Sequence, residues 1–151
     1  MKNRIGMIMV VLLSLVLASF TPSEPNEGIG ITFKHMTMEE ARELAQSTGK
    51  LVFIDCYTDW CGPCKRMAAG AFKDPEVAAL YNKNFINVKI EMEKNPDGVG
   101  LARKYKVNAY PTLVFINGQG DLIGKRVGMQ SKDALIIFAN NVLEKQVNFV
   151  R

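Results

Sequence analysis

Histidine and cysteine are scarce in this chain of 151 residues: one histidine, His35, and three cysteines, Cys56, Cys61 and Cys64. A structural zinc site takes four ligands, and a catalytic one three plus water. Beyond Cys61 and Cys64 only Cys56 and His35 remain, each in a different local setting. No metal site is expected, and His35 receives no role. Three cysteines also make a poor framework for a fold stapled by disulfides. An excess of one charge is lacking: 19 basic and 15 acidic residues leave a formal charge of +4, and without Lys2 and Arg4 it is +2. No basic stripe interleaves with aromatics, so nucleic-acid binding has no support. Internal repeats and low-complexity segments are absent.

Long apolar runs are also missing, with one exception. Lys2 and Arg4 precede an apolar run from Ile5 to Leu17, broken only by Gly6 and Ser14. It is short for a membrane span, which needs about 20 residues. Val16-Leu17-Ala18 fits a small-residue cleavage site, and Thr21 to Asn26 turns polar. Residues 1–20 carry the pattern of a secretory signal peptide, with an uncleaved N-terminal anchor as the alternative. No cysteine follows the run closely, which argues against a lipoprotein anchor. Residues 21–30 are expected to be a flexible lead-in, and residues 31–151 a single domain.

What is present centres on Trp60-Cys61-Gly62-Pro63-Cys64-Lys65. A strand-like stretch, Leu51 to Tyr57, precedes it and a helix-compatible one follows. A strand ending in Cys-x-x-Cys that opens a helix points to thiol–disulfide redox chemistry. At helical rise and rotation, residues i and i+3 have Cα atoms roughly 5 Å apart, inside the range a disulfide accepts. Cys61 would sit at the helix N-terminus, where free N–H groups and the helix dipole favour a thiolate. Pro63 in the first turn forfeits no helical hydrogen bond. In an exported protein, a redox pair plus one spare thiol accounts for three cysteines better than a structural set.

Along the chain, Ile31 to Phe33 suggests a short first strand. Thr37-Met-Glu-Glu40 is a capping-box pattern opening a helix to Gln46, with Gly49 as its stop. Asp74-Pro75-Glu76 starts another helix, to about Asn82. Phe85 to Met92 resembles a second core strand, and Val99 to Tyr105 a helix. Thr112–Ile116 and Leu122–Val127 flank Asn117-Gly-Gln-Gly120, a hairpin signal. Ser131 to about Lys145 closes the chain as a helix, with Leu135, Ile136, Phe138, Ala139 and Leu143 as its core positions. Alternating strands and helices followed by a hairpin imply an α/β fold, a mixed sheet with helices on both faces.

These residues resemble the thioredoxin family over about Thr37 to Val147. The Trp60–Lys65 hexapeptide equals the family motif, Asp55 stands six residues before the first cysteine, Lys89 lies on the neighbouring strand, and Tyr110-Pro111-Thr112 matches the X-Pro-Thr segment. Phe72 to Val77 is similar to exported members such as the periplasmic C-terminal domain of the membrane disulfide reductase DsbD. The resemblance implies a thioredoxin fold and a protein thiol–disulfide oxidoreductase acting mainly as a reductant. It makes Cys61 the attacking thiolate and Cys64 the resolving thiol. Asp55 becomes the proton acceptor for Cys64, with a strand-end acid paired to Lys89 as the alternative. Lys89 is either its modulator or a solvated lysine. Pro111 would be cis and, with Trp60, Gly62, Pro63 and Tyr110, would shape the substrate groove. Ordinary core packing is the alternative for Trp60, and simple packing that for Tyr110. Cys56 is expected to be a core hydrophobe, with a third redox thiol as the alternative.

The chain departs from cytosolic thioredoxin by Tyr110 before the proline, where isoleucine is usual, and by about three extra residues between Pro96 and Pro111. Both lie near the groove, so the partner range of cytosolic thioredoxin does not carry over by resemblance. No metal or organic cofactor is implied, the redox-active disulfide being the working group. The implied partners are exported disulfide-containing proteins and a membrane-embedded electron donor of DsbD type. The implied location is the periplasm, and a monomer is the default. A disulfide oxidase or isomerase, or a binding module of the same fold without redox role, are the competing readings.

Overall fold

The computed structural model describes residues 29–149. The signal or anchor segment and most of the lead-in lie outside the described residues. The elements are α1 (Met38–Thr48), β1 (Leu51–Tyr57), α2 (Gly62–Ala69), a single 3-10 turn (Ala71–Lys73), α3 (Pro75–Asn84), β2 (Phe85–Glu91), α4 (Gly98–Tyr105), β3 (Thr112–Ile116), β4 (Leu122–Val127) and α5 (Lys132–Phe149). The strands form one sheet in the order β2-β1-β3-β4. β1 runs parallel to β2 and antiparallel to β3, and β3 and β4 form the hairpin. The sheet is mixed, as the alternation of elements implies.

Local chemistry places the helix ends. Thr37 and Glu40 close a full capping box on α1, and Gly49 ends that helix at φ 68°, where a side chain would be strained. Asp74 accepts from the N–H groups of Glu76 and Val77 at the start of α3, with Pro75 in its first turn.

Burial follows the alternation of side chains along the strands. Val52, Ile54 and Cys56 of β1 face a core shared with α1 and α4, built with Ile86, Val88, Ile90, Val114 and Ile116. Leu51 and Phe53 face the opposite core, against Met67 of α2, Val77 and Tyr81 of α3, and Leu135, Phe138, Ala139 and Val142 of α5. Helices therefore cover both faces. In this second core Phe53 meets Tyr81 edge-on at 4.8 Å and Phe115 at 5.0 Å, while Phe115 meets Phe138 at 5.0 Å. The Tyr81 hydroxyl donates to the Leu135 carbonyl at 3.0 Å, so its burial leaves no donor unpaired.

Two sequence expectations need correction. Ile31 to Phe33 is no strand; only Lys34 makes an isolated parallel bridge, to Val88. The Ile31 N–H goes to the Phe72 carbonyl and the Thr32 N–H to the Asn82 side chain, so no ladder forms. In α5, Ile136 and Leu143 are only partly buried, while Val142 is fully inside because it faces β4.

Candidate active site

The site grows from the C-terminal end of β1. Cys61 is the N-cap residue of α2, and its sulfur accepts from the Cys64 N–H at 3.1 Å. Gly62 and Pro63 fill the first turn, where proline loses no hydrogen bond. Cys61 and Cys64 are joined in a disulfide with Cα atoms 5.3 Å apart. Both cysteines are buried, while the neighbouring Trp60 is 66% exposed, so Trp60 is not a core residue.

Trp60 is nevertheless held. Its indole N–H donates to Glu93 at 3.1 Å, and its ring meets Tyr110 edge-on at 5.9 Å. Glu91, at the end of β2, accepts from the N–H groups of Asp59, Glu93 and Lys94. Lys94 pairs with Asp59, and the Met92 N–H donates to the Tyr57 carbonyl at 2.9 Å. The loop after β2 thus braces the loop that carries Trp60. Sequence reading missed Glu91 and Glu93; the cue available was Glu91-Met92-Glu93-Lys94 directly after a core strand.

The Tyr110–Pro111 peptide bond is cis, as expected. Pro111 is buried, and its carbonyl accepts from the Gly128 N–H at 2.8 Å. The register Cys56↔Thr112 sets this segment beside the end of β1, and the Trp60–Tyr110 contact shows that the two loops meet. Met129, which follows Gly128, is exposed like Trp60, while Tyr110 is half-buried against the Trp60 ring.

Asp55, on β1 six residues before Cys61, has 1% of its side chain exposed. It stands opposite Lys89 in the parallel β1–β2 ladder, and the two side chains form an ion pair. Burial raises the Asp55 carboxyl above the usual carboxylate range, against the opposing pull of the Lys89 ammonium. Its Oδ1 has no hydrogen-bond partner among the described residues. A recess of about 110 Å³ opens beside this pair, lined by Cys64, Lys89, Tyr57, Thr58 and Lys65 among others. Cys64 and Lys89 therefore share one small opening. Two larger clefts, of about 340 and 410 Å³, lie at the far end of the sheet and beside β4, and neither is lined by a cysteine or histidine.

Cys56 is fully buried on the other face of the sheet, away from Asp55. Burial, and after it the neighbouring Asp55 charge, push its thiol above the ordinary range.

A four-stranded mixed sheet with helices on both faces, and a Cys-x-x-Cys disulfide capping the helix after its central strand, define the thioredoxin fold. The thioredoxin family model matches residues 32–141, and the chain belongs to that family. It is 32% identical over 120 residues to the thiol:disulfide interchange protein DsbD of Haemophilus influenzae, covering 76% of this chain and 20% of that protein. The chain thus spans about a fifth of that relative's length. Among solved structures it resembles a candidate disulphide-isomerase from Bacteroides thetaiotaomicron, with 43% identity, a TM-score of 0.67, and 77% and 96% of the two chains covered. It also resembles the C-terminal domain of DsbD from Neisseria meningitidis, with 25% identity, a TM-score of 0.56, and 68% and 90% covered.

Proposed function

We propose that this protein is an exported thiol–disulfide oxidoreductase that mainly reduces disulfides of partner proteins. The observation that carries the reading is the Cys61–Cys64 pair capping α2 beside the recess that Cys64 shares with Lys89, the ion-pair partner of Asp55. In the dithiol form, the Cys61 thiolate attacks one sulfur of a partner disulfide, and the other partner sulfur leaves as a thiolate. Cys64 then gives its proton to Asp55 and attacks the Cys61 sulfur. The mixed disulfide breaks, the second partner sulfur leaves with the electron pair, and Cys61–Cys64 closes. Two electrons have passed to the partner, whose thiolates take up protons from water. The helix N-terminus favours the attacking thiolate. The Gly62-Pro63 dipeptide, shared with reducing thioredoxins, supports the direction.

The pair is the only redox group the mechanism uses; no metal or organic cofactor enters. The basic start and apolar run before residue 20 support export, and likeness to DsbD supports a periplasmic site. A reductant working there draws electrons from a membrane-embedded donor of DsbD type. Trp60, Gly62, Pro63, Tyr110 and Pro111 form the surface that receives the partner strand. The likeness to a candidate disulphide-isomerase favours one second reading, that of an isomerase. The reduction potential of the Cys61–Cys64 pair separates the two. A value near about −270 mV is expected of a reductant, whereas one near about −180 mV indicates an isomerase and one near about −120 mV an oxidant.

A further inference from the structure

Lys89 is held by more than its strand. Its side chain is 27% exposed and could swing its flexible stem into water. Instead its ammonium lies against Asp55 and 4.1 Å from the centre of the Tyr57 ring, with Phe33 at 5.6 Å and Phe72 at 5.9 Å. All three rings are within the roughly 6 Å at which an aromatic face attracts a cation. Tyr57 is the nearest, and it shares the recess with Cys64 and Lys89. Position 57 follows Asp55 by two residues, so both side chains leave β1 on the same face.

We infer that Tyr57 is a positioning residue of the redox reaction: its ring holds the Lys89 ammonium on Asp55 and so sets the pH range in which Asp55 accepts the Cys64 proton. The inference rests on the oxidoreductase reading above. A fixed positive charge favours ionised Asp55. With the ammonium released to solvent, Asp55 keeps its proton to higher pH, and a protonated carboxyl cannot take the one Cys64 must lose. The other charges around Tyr57 do not supply this hold. Asp59 and Lys94 pair with each other, Glu91 is occupied by three backbone N–H groups, and Lys65 lies across the recess on α2. Cys56, beside Asp55, faces the opposite core.

The test uses the reduced full chain and dithiobis(nitrobenzoate), a symmetric aromatic disulfide. Attack by Cys61 frees the first coloured thiolate and resolution by Cys64 frees the second. Stopped-flow traces from pH 5.5 to 9 give the pH midpoint of the second phase. Tyr57→Leu is expected to move that midpoint about half to one pH unit upward. Tyr57→Phe, which keeps the ring, restores the original profile. A fluorinated phenylalanine introduced at position 57 keeps the shape but depletes the ring face of electrons, and it is expected to behave like leucine. In an Asp55→Asn background, Tyr57→Leu adds no shift. Matching midpoints for Leu and Phe, or for the fluorinated and plain rings, overturn the inference. Absence of both phases in the unsubstituted chain overturns the oxidoreductase reading itself, and this inference with it.

Discussion

Asp55 brings a carboxylate to a place where 1% of its side chain meets water and one oxygen has no partner among the described residues. Two effects compete there. Desolvation of the charge opposes folding, and the Lys89 ion pair supports it. Removing one member of a fully buried pair is strongly destabilising, because the other charge is stranded. Lys89 is not stranded: 27% of its side chain is exposed, and rings surround its ammonium. Desolvation therefore decides, in line with the raised Asp55 carboxyl. A carboxyl raised by folding contributes stability below its unfolded value, near about 3.9, and that contribution is lost as pH rises through the folded value. Asp55→Asn is thus expected to be more stable than the original chain by about 1–3 kcal/mol at pH 8. The gain should shrink steadily as the pH falls towards 4. Guanidinium unfolding at pH 4.5 and 8 checks both parts; a less stable asparagine variant at pH 8 would show that the ion pair outweighs desolvation. The position of Asp55 was legible from one acid in an apolar strand before the cysteines. The Tyr57 ring over Lys89 was not, because it depends on the pairing of β1 with β2, residues far apart in sequence.

At the scale of elements, α4 carries two glycines with opposite meanings. Gly98 opens the helix against the Met92 carbonyl, and a Cβ there would fall onto that backbone. Gly100, two residues on, has open space around it. Gly98→Ala is expected to destabilise by about 1–3 kcal/mol through overpacking. Because Met92 belongs to the loop that braces Trp60, the substitution should also change the Trp60 fluorescence of the folded protein. Gly100→Ala should instead add about 0.5–1 kcal/mol by restricting the unfolded chain and favouring the helix. Equal effects from the two, read by thermal unfolding, would contradict this packing. The same contrast explains which elements could be read in advance. The Thr37–Glu40 box, the Gly49 stop and the Asp74-Pro75 start are settled by residues within a few positions of one another. Ile31 to Phe33 looked like a strand by composition, but Asn82, 50 residues away from Thr32, takes its N–H. No local pattern carries that information.

At the scale of the molecule, the proposed cycle opens the disulfide at every turnover, so on that reading the disulfide cannot be what holds the fold together. The cores on the two faces of the sheet lie around β1 and β3, and each is closed by its own helices without help from the cystine. The Cys61–Cys64 link closes a ring of only four residues, so it restricts the unfolded chain little, by about 2 kcal/mol on chain-entropy grounds. Cys61 also caps α2 through its sulfur, an interaction that a thiolate can keep after reduction. The reduced protein is therefore expected to stay cooperatively folded and to lose about 2 kcal/mol against the oxidised form. Paired guanidinium titrations with and without dithiothreitol measure this directly. Loss of a cooperative transition on reduction would mean that the disulfide is structural, and the redox cycle proposed for the pair would then have no folded dithiol state from which to start.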